Sequence, residues 1–438
     1  MSTVAARRAF TSAEDWQCTT LGHVAQVKGG KRLPKGEKFA DTVTPFPYIR
    51  VTDFANFGID TSDLRYLTPE TRATIERYTI SKNDVYISIA GSIGITGMIP
   101  ARLDGANLTE NAAKLVLNED VIDSRFLMYY FASEVAQTEI RGQTVKNAQP
   151  KLALARIASL SIPLPPLPEQ QKIAAVLGLV QRAIEQQERL IALTTELKKA
   201  LLHKVFTEGH RGESQKQTEI GPVPESWEVS KLADLFEIKH GYAFDGAFFR
   251  PDGQYILLTP GHFFEEGGFR DQKDKTKYYI GEIPQGYVLA KGDLLVVMTE
   301  QKAGLLGSAI IIPENEKYLH NQRLGLIRNL DNQRLDMLFL FYFFNTAAVR
   351  KQIFLTSSGS KVRHTSPGKI RELSIALPRL EEQKDIAQLL QAVDAKLEVT
   401  KRKHQAITDL FRTLLHQLMR AQMRVDNADL REILSLRN

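Results

Sequence analysis

The stretch LPPLPEQQKIAAVLGLV, residues 164–180, returns as LPRLEEQKDIAQLLQAV at residues 377–393, 213 positions later. At this offset Leu164 stands over Leu377, Glu169 over Glu382, Gln170 over Gln383, Ile173 over Ile386 and Val180 over Val393, without a gap. Leu201, Leu202 and His203 stand over Leu414, Leu415 and His416. A period this long means a duplicated domain rather than a solenoid. With small gaps the echo continues upstream. Trp16 and Leu21 parallel Trp227 and Leu232, YIRVTDF from Tyr48 parallels YILLTPG from Tyr255, and FLMYYF from Phe126 parallels FLFYFF from Phe339. The chain of 438 residues is a variable module followed by a long helix, written twice.

The helices are legible in the spacing. From Pro168 to Phe206 there is one glycine, Gly178, and no second proline. Proline at the start and glutamate in the first turn favour initiation, and Gly209 supplies a stop. In the second copy Ile386, Leu390, Val393, Leu397, Thr400, His404, Ile407, Phe411, Leu414 and Leu418 keep a four–three spacing, a heptad seam. The first seam is Ile173, Leu177, Val180, Ile184, Gln187, Ile191, Thr194, Lys198, Leu201 and Val205, its stripe widened by Leu190, Leu193 and Leu197. Two such helices in one chain most simply bury their seams against each other as an antiparallel coiled coil. The alternative is two helices packed separately on their own domains. His404 is expected to set register rather than bind a metal. Antiparallel pairing would convert the direct repeat into a pseudo-two-fold arrangement, suited to two half-sites on opposite strands of a duplex.

The expected fold class is α+β: two mixed α/β modules, residues 1–163 and 211–376, separated by spacer helices at 164–210 and 377–422, with a tail at 423–438. DVYISIA and DLLVVMT read as buried strands, and IGITGMI and LLGSAIII as their return partners. The aromatic segments after Phe126 and Phe339 read as core helices rather than base-stacking platforms. Net charge is +6, which permits a nucleic-acid partner without establishing one. Any such surface must be local. Candidate DNA-contacting residues sit in polar, glycine-containing loops: Lys31, Arg32 and Lys35; Arg141, Gln143, Lys146 and Asn147; Gln301 and Lys302; Lys361, Arg363 and His364. Lysine and arginine suit phosphates and guanine edges, and Asn and Gln suit adenine. The single cysteine, Cys18, rules out an internal disulfide and reads as a small packed hydrophobe in a reducing, cytoplasmic setting. No run approaches the length of a membrane span, and the opening residues lack the apolar stretch of a secretory signal.

One enzymatic pattern competes. Asp293, Glu300 and Lys302 match a D…E-x-K nuclease spacing, in which two carboxylates would hold magnesium and the lysine would orient water. The first copy keeps only the aspartate, as Asp84. No phosphate-binding loop and no site for a methyl donor or ATP is evident. A sequence-independent DNA-binding scaffold is the other alternative.

The openings LPPLPEQQKIA and LPRLEEQKDIA, each leading a long helix, resemble the specificity (S) subunit of type I restriction–modification enzymes. So do TEIGPVPESWEVSKLADL from Thr218 and the YIRVTDF…GID segment from Tyr48. The resemblance spans almost the whole chain. It implies two target recognition domains, each reading half of a split DNA site, and no catalytic activity or cofactor in this chain. Two methyltransferase (M) subunits would bind S-adenosylmethionine, and two restriction (R) subunits would use ATP and magnesium. By resemblance the helices around Glu169, Gln170, Ile173, Glu382, Gln383 and Ile386 dock the M subunits. One departure is Glu381 where the first copy has Pro168, which leads us to expect a shifted start for the second helix.

Overall fold

The computed structural model describes residues 16–144, 150–301 and 303–425. Both long helices form where the seams put them, at Leu167–Thr207 and Leu380–Met419. They begin at equivalent leucines, so Glu381 does not move the second start. A carboxylate in the first turn suits a helix N-terminus as well as proline does.

The chain divides into two compact units, residues 1–188 with 402–438, and residues 189–401. Each unit holds one variable module and a part of both helices. In the first unit Ile173 and Leu177, early in one helix, share a core with Phe411, Leu415 and Leu418, late in the other. There His404 Nε2 meets Glu188 Oε1 at 3.3 Å, a polar contact on the seam. In the second unit Val205, late in the first helix, shares a core with Ile386 and Leu390, early in the second. Lys198 Nζ meets Asp394 Oδ1 at 2.5 Å. Early meets late in both units, so the pairing is antiparallel. The helices also pack on their modules: Ile173 and Leu177 lie in one cluster with Phe126 and Tyr129, and Ile386 with Phe339. Leu190, Leu193 and Leu197 do not widen the buried stripe; they are 37%, 59% and 58% exposed.

The modules repeat a layout of two four-stranded sheets. In the first unit one sheet runs Ala25–Gly29, Ala112–Leu117, Val85–Ser88, Thr96–Met98, antiparallel throughout. Its counterpart runs Glu237–His240, Leu324–Arg328, Leu294–Val297, Ala309–Ile311 in the same order. All four residues of Val85–Ser88 and of Leu294–Val297 are buried, as expected of continuous apolar strands. The other sheet contains a parallel pair in each unit, Pro47–Ile49 with Ala106–Leu108 and Tyr255–Leu257 with Tyr318–Leu319. The helices Ser124–Ala132 and Met337–Phe344 bury Phe126, Tyr129, Tyr130, Phe339, Tyr342 and Phe344, so these aromatics are core. Cys18, by contrast, is exposed on the two-stranded ribbon Gln17–Thr20 and Ser161–Leu164, where its expected burial is not met.

The repeated glutamine has a structural task. Gln170 Oε1 accepts from the Asp123 amide at 2.8 Å, and its Nε2 donates to Val121 O at 3.1 Å and Pro165 O at 2.8 Å. Gln383 Oε1 accepts from the Asp336 amide at 2.8 Å, and its Nε2 donates to Arg334 O at 2.8 Å and Pro378 O at 2.9 Å. Asp123 and Asp336 in turn cap the aromatic helices, accepting from the amides of Phe126 and Phe339 at 2.9 Å. One carboxamide thus ties each long helix to its module, and the glutamine itself is fully buried in both units.

Candidate nucleic-acid interface

In the first unit the chain leaves strand Ala25–Gly29 and crosses the end of the sheet. Gly30 N donates to Ala112 O at 3.1 Å and Lys31 N to Leu108 O at 2.8 Å. A Cβ on Gly30 would lie 2.1 Å from Thr109 O, so only glycine fits the crossing. Two further segments are tied to the same place. Ile89 N donates to Asn111 O at 2.8 Å, Leu152 N donates to Ile89 O at 2.9 Å, and Ala90 bridges to Lys151. The three segments surround a cleft of about 540 Å³, whose polar lining is Lys31, Arg32, Glu110, Asn111 and Lys151. Three cations face one carboxylate, a balance that attracts a polyanion.

The frame is stiff. The Tyr48 hydroxyl donates to Lys31 O at 2.8 Å, and burial pushes that phenol up to about 12, so it stays a donor at neutral pH. Gln137 Nε2 holds Gly94 O at 2.9 Å and thereby the loop after Ala90. Arg32 and Lys35 are exposed on the loop beyond Gly30. Arg141 is exposed and its guanidinium pairs with Glu134 at 2.5 Å, which holds that carboxyl below its ordinary range. Gln143 presents its backbone carbonyl to Arg156 at 2.8 Å. Lys146 and Asn147 lie outside the described residues, as does Lys302. Sequence reasoning does not single out Glu110, Asn111 or Lys151. For Lys151 a signal existed, since it stands 213 positions before His364.

In the second unit the structure brings Gln301, Arg363 and His364 together. Thr299–Glu300 pairs antiparallel with Arg363–His364, and Thr299 Oγ1 lies 3.0 Å from His364 Nδ1. The Arg363 guanidinium stacks 3.9 Å from the Phe354 ring centre and donates to Ser357 Oγ at 3.1 Å. Gln301 and Lys361 are exposed beside this ribbon. Arg350 braces the neighbouring loop by donating to Leu306 O and Glu265 O, each at 2.7 Å, and to Gly304 O. Burial lowers its guanidinium to about 10.

The nuclease pattern dissolves in three dimensions. Asp293 and Glu300 flank opposite ends of strand Leu294–Val297, on the order of 20 Å apart along an extended backbone. Glu300 is buried and accepts from the amides of Leu305 and Leu306 at 2.8 and 2.7 Å. Asp293 closes a turn on the Ala290 amide at 2.9 Å and faces Arg328 at 3.3 Å. Asp84 does the same with the Ser81 amide at 2.8 Å and Lys114 at 3.2 Å. Both aspartates are turn residues. Among the described residues no three of His, Cys, Asp and Glu gather as a metal site, and no helix is long and apolar enough to cross a membrane.

The residues around the repeated Glu-Gln pair face inward. Gln170, Ile173, Glu382, Gln383 and Ile386 are at most 1% exposed, and Glu169 is half-buried. In this fold the first five pack within the chain.

Comparison with known proteins agrees with this architecture. The family model described as type I restriction modification DNA specificity domain matches twice, over residues 13–195 and 224–409. The chain is 25% identical over 417 residues to the type I restriction enzyme MjaVIII specificity subunit of Methanocaldococcus jannaschii, covering 94% of each chain. It is 27% identical over 238 residues to the EcoBI specificity subunit of Escherichia coli, covering 53% of this chain and 49% of that one. The fold is similar to the crystal structure of a type I restriction-modification S subunit from M. genitalium, with a TM-score of 0.58, 15% identity, and coverage of 92% and 96%. A chain from a structural study of complex assembly and conformational transition in a type I system aligns with a TM-score of 0.55, 17% identity, and coverage of 94% and 99%.

Proposed function

We propose a mode of action from the premise that this chain belongs to the type I restriction–modification DNA specificity family. The chain is a non-catalytic specificity subunit, and methylation and cleavage are the work of partner subunits. Each unit reads one half of a bipartite duplex site. In the first unit the contacts come from Lys31, Arg32, Lys35 and Lys151 around the cleft. In the second they come from Gln301, Lys361, Arg363 and His364 on the paired ribbon. The observation that carries this reading is the module built twice, with a polar, cation-bearing loop set at the same end of the same sheet.

Two M subunits carrying S-adenosylmethionine, and two R subunits using ATP and magnesium, complete the assembly in the cytoplasm. The docking face for M is proposed at the exposed apolar ridge Leu190, Leu193 and Leu197, because the Glu-Gln segments are occupied internally. Helix Leu167–Thr207 passes unbroken from one unit into the other. Inserting one heptad after Val180 is therefore expected to change the spacer between half-sites by a base pair or more. The decisive experiment is co-expression with a cognate M subunit and mapping of methylated adenines. Methylation confined to a split sequence is the expected result. Methylation that ignores sequence, or robust magnesium-dependent cutting by the isolated chain, would end the proposal.

A further inference from the structure

The cleft of the first unit has no counterpart recognisable from charge, yet its backbone frame is rebuilt in the second. Gly30 N to Ala112 O at 3.1 Å is matched by Gly241 N to Leu324 O at 3.2 Å. Lys31 N to Leu108 O at 2.8 Å is matched by Tyr242 N to His320 O at 2.9 Å. Ala112 N to Thr109 O at 3.2 Å is matched by Leu324 N to Asn321 O at 3.0 Å. Ile89 N to Asn111 O at 2.8 Å is matched by Met298 N to Arg323 O at 2.9 Å. Leu152 N to Ile89 O and Thr365 N to Met298 O are both 2.9 Å. The glycine constraint recurs too, since a Cβ on Gly241 would lie 1.9 Å from Asn321 O. Ala90 bridges Lys151 as Thr299 pairs with His364.

These bonds align the two tips residue by residue. Lys31, Glu110, Asn111 and Lys151 occupy the places of Tyr242, Gln322, Arg323 and His364. We infer that Tyr242, Gln322, Arg323 and His364 form the base-reading edge of the second unit, equivalent to Lys31, Glu110, Asn111 and Lys151 in the first. The inference rests on the DNA-specificity reading above and names the residues that discriminate bases.

The chemistry of the tip favours bases over phosphates. The cations draw the duplex in, whereas the Glu110 carboxylate has no use for a phosphate and accepts from an amino group such as cytosine N4, and Asn111 suits adenine. In the second unit Gln322 is exposed and Arg323 half-buried, and among the described residues neither side chain has a hydrogen-bond partner. An arginine so placed matches guanine O6 and N7, and glutamine matches adenine. Tyr242 is 40% exposed, and its ring is steadied by Phe244 at 5.1 Å and Tyr287 at 5.4 Å, a flat apolar contact for a thymine methyl. One frame with two sets of tips accounts for two unlike half-sites.

The test uses the complex with M subunits and a duplex library randomised across both half-sites. R323A is expected to lose about ten- to a hundred-fold in binding to the preferred site and to relax one base position in one half only. R323K is expected not to restore it, because lysine lacks the bidentate fork. E110Q/N111R is expected to alter the other half-site and leave the first intact. The unaffected half-site in each variant reports that the protein is folded. Uniform weakening across all sequences with a smaller salt slope would make Arg323 a phosphate contact and overturn the assignment, as would an unchanged base preference. A wild-type complex with no split-site preference would instead bring down the premise, and would show it before any variant is made.

Discussion

The two units share their fastenings and differ at their tips. Gln170 and Gln383 make the same three bonds, and Gly30 and Gly241 make the same crossing. Tyr129 donates to Gln181 at 2.6 Å where Tyr342 donates to Asp394 at 2.8 Å. Beyond these the chemistry parts. In the first unit Phe411 packs 6.0 Å from the Tyr129 ring and 5.9 Å from Phe57. The residue 213 positions before Phe411 is Lys198, which forms an ion pair with Asp394 in the second unit. The tip carries lysine, glutamate and asparagine in one unit, and tyrosine, glutamine and arginine in the other. Backbone-satisfying side chains are retained because a buried unpaired polar group is costly, whereas an exposed tip can vary at little cost in stability.

The sharpest way to test that division is to cut one fastening. Gln383→Leu removes the partner of the Asp336 amide and of two carbonyls, one of them, Pro378 O, in a buried bond. It is expected to destabilise the second unit by about 2–3 kcal/mol, and Gln170→Leu to do the same in the first. Hydrogen exchange read unit by unit checks this. Equal loss of protection in both units from either change would show that they do not unfold separately.

Acid separates the units next. His262 and His320 are buried, and burial pushes both imidazoles down to about 4. The unfolded chain binds protons at these residues near pH 6.5, the folded one only near pH 4. Stability is therefore complete above about pH 6.5 and is lost as pH falls toward 4, on the order of 3 kcal/mol for each histidine. Among the described residues the first unit buries no histidine: His23 and His416 are exposed and His404 is half-buried. Unfolding of the second unit ahead of the first between pH 6 and 4 is the expected outcome. Replacing both histidines by asparagine or glutamine should narrow the gap.

Smaller effects sharpen the contrast. Lys198→Met is expected to cost the second unit about 1 kcal/mol, less at high salt, because the ion pair is only partly buried. Denaturant midpoints at low and high salt measure it, and a salt-independent loss would assign the effect to packing. Lys361→Ala is expected to leave stability untouched and weaken DNA binding uniformly across sequences. It should lower the slope of affinity against salt by about one, as removal of a single phosphate contact would. A changed base preference would move Lys361 into the reading edge.

Much of the fold was legible because it repeats local rules. Heptad spacing revealed both helices, continuous apolar runs revealed the central strands, and the 213-residue offset revealed the duplication. The exposure of Leu190, Leu193 and Leu197 was not legible, because apolar spacing alone does not say which side of a wide stripe finds a partner. The buried role of the Glu-Gln pair was hidden for a related reason. A polar residue at the head of an amphipathic helix reads as surface until the loop that accepts its bonds is seen. The candidate site was legible only in part. Lys31 and Arg363 announced themselves by charge, whereas Asn111 and Arg323 are brought to the tips by backbone bonds to segments distant in sequence. The D…E-x-K spacing misled because its two carboxylates lie seven positions apart, at opposite ends of a largely extended segment.

By itself the sequence determined the architecture: two copies of one module, two long helices with matching seams, and the loops in which charge is concentrated. These follow from periodicity and from the preferences of each residue for its neighbours along the chain. Only the tertiary structure decided which side chains meet at each tip and which polar groups are held inside. Those contacts join residues tens to hundreds of positions apart, and close packing with complete hydrogen bonding, rather than any local pattern, selects them.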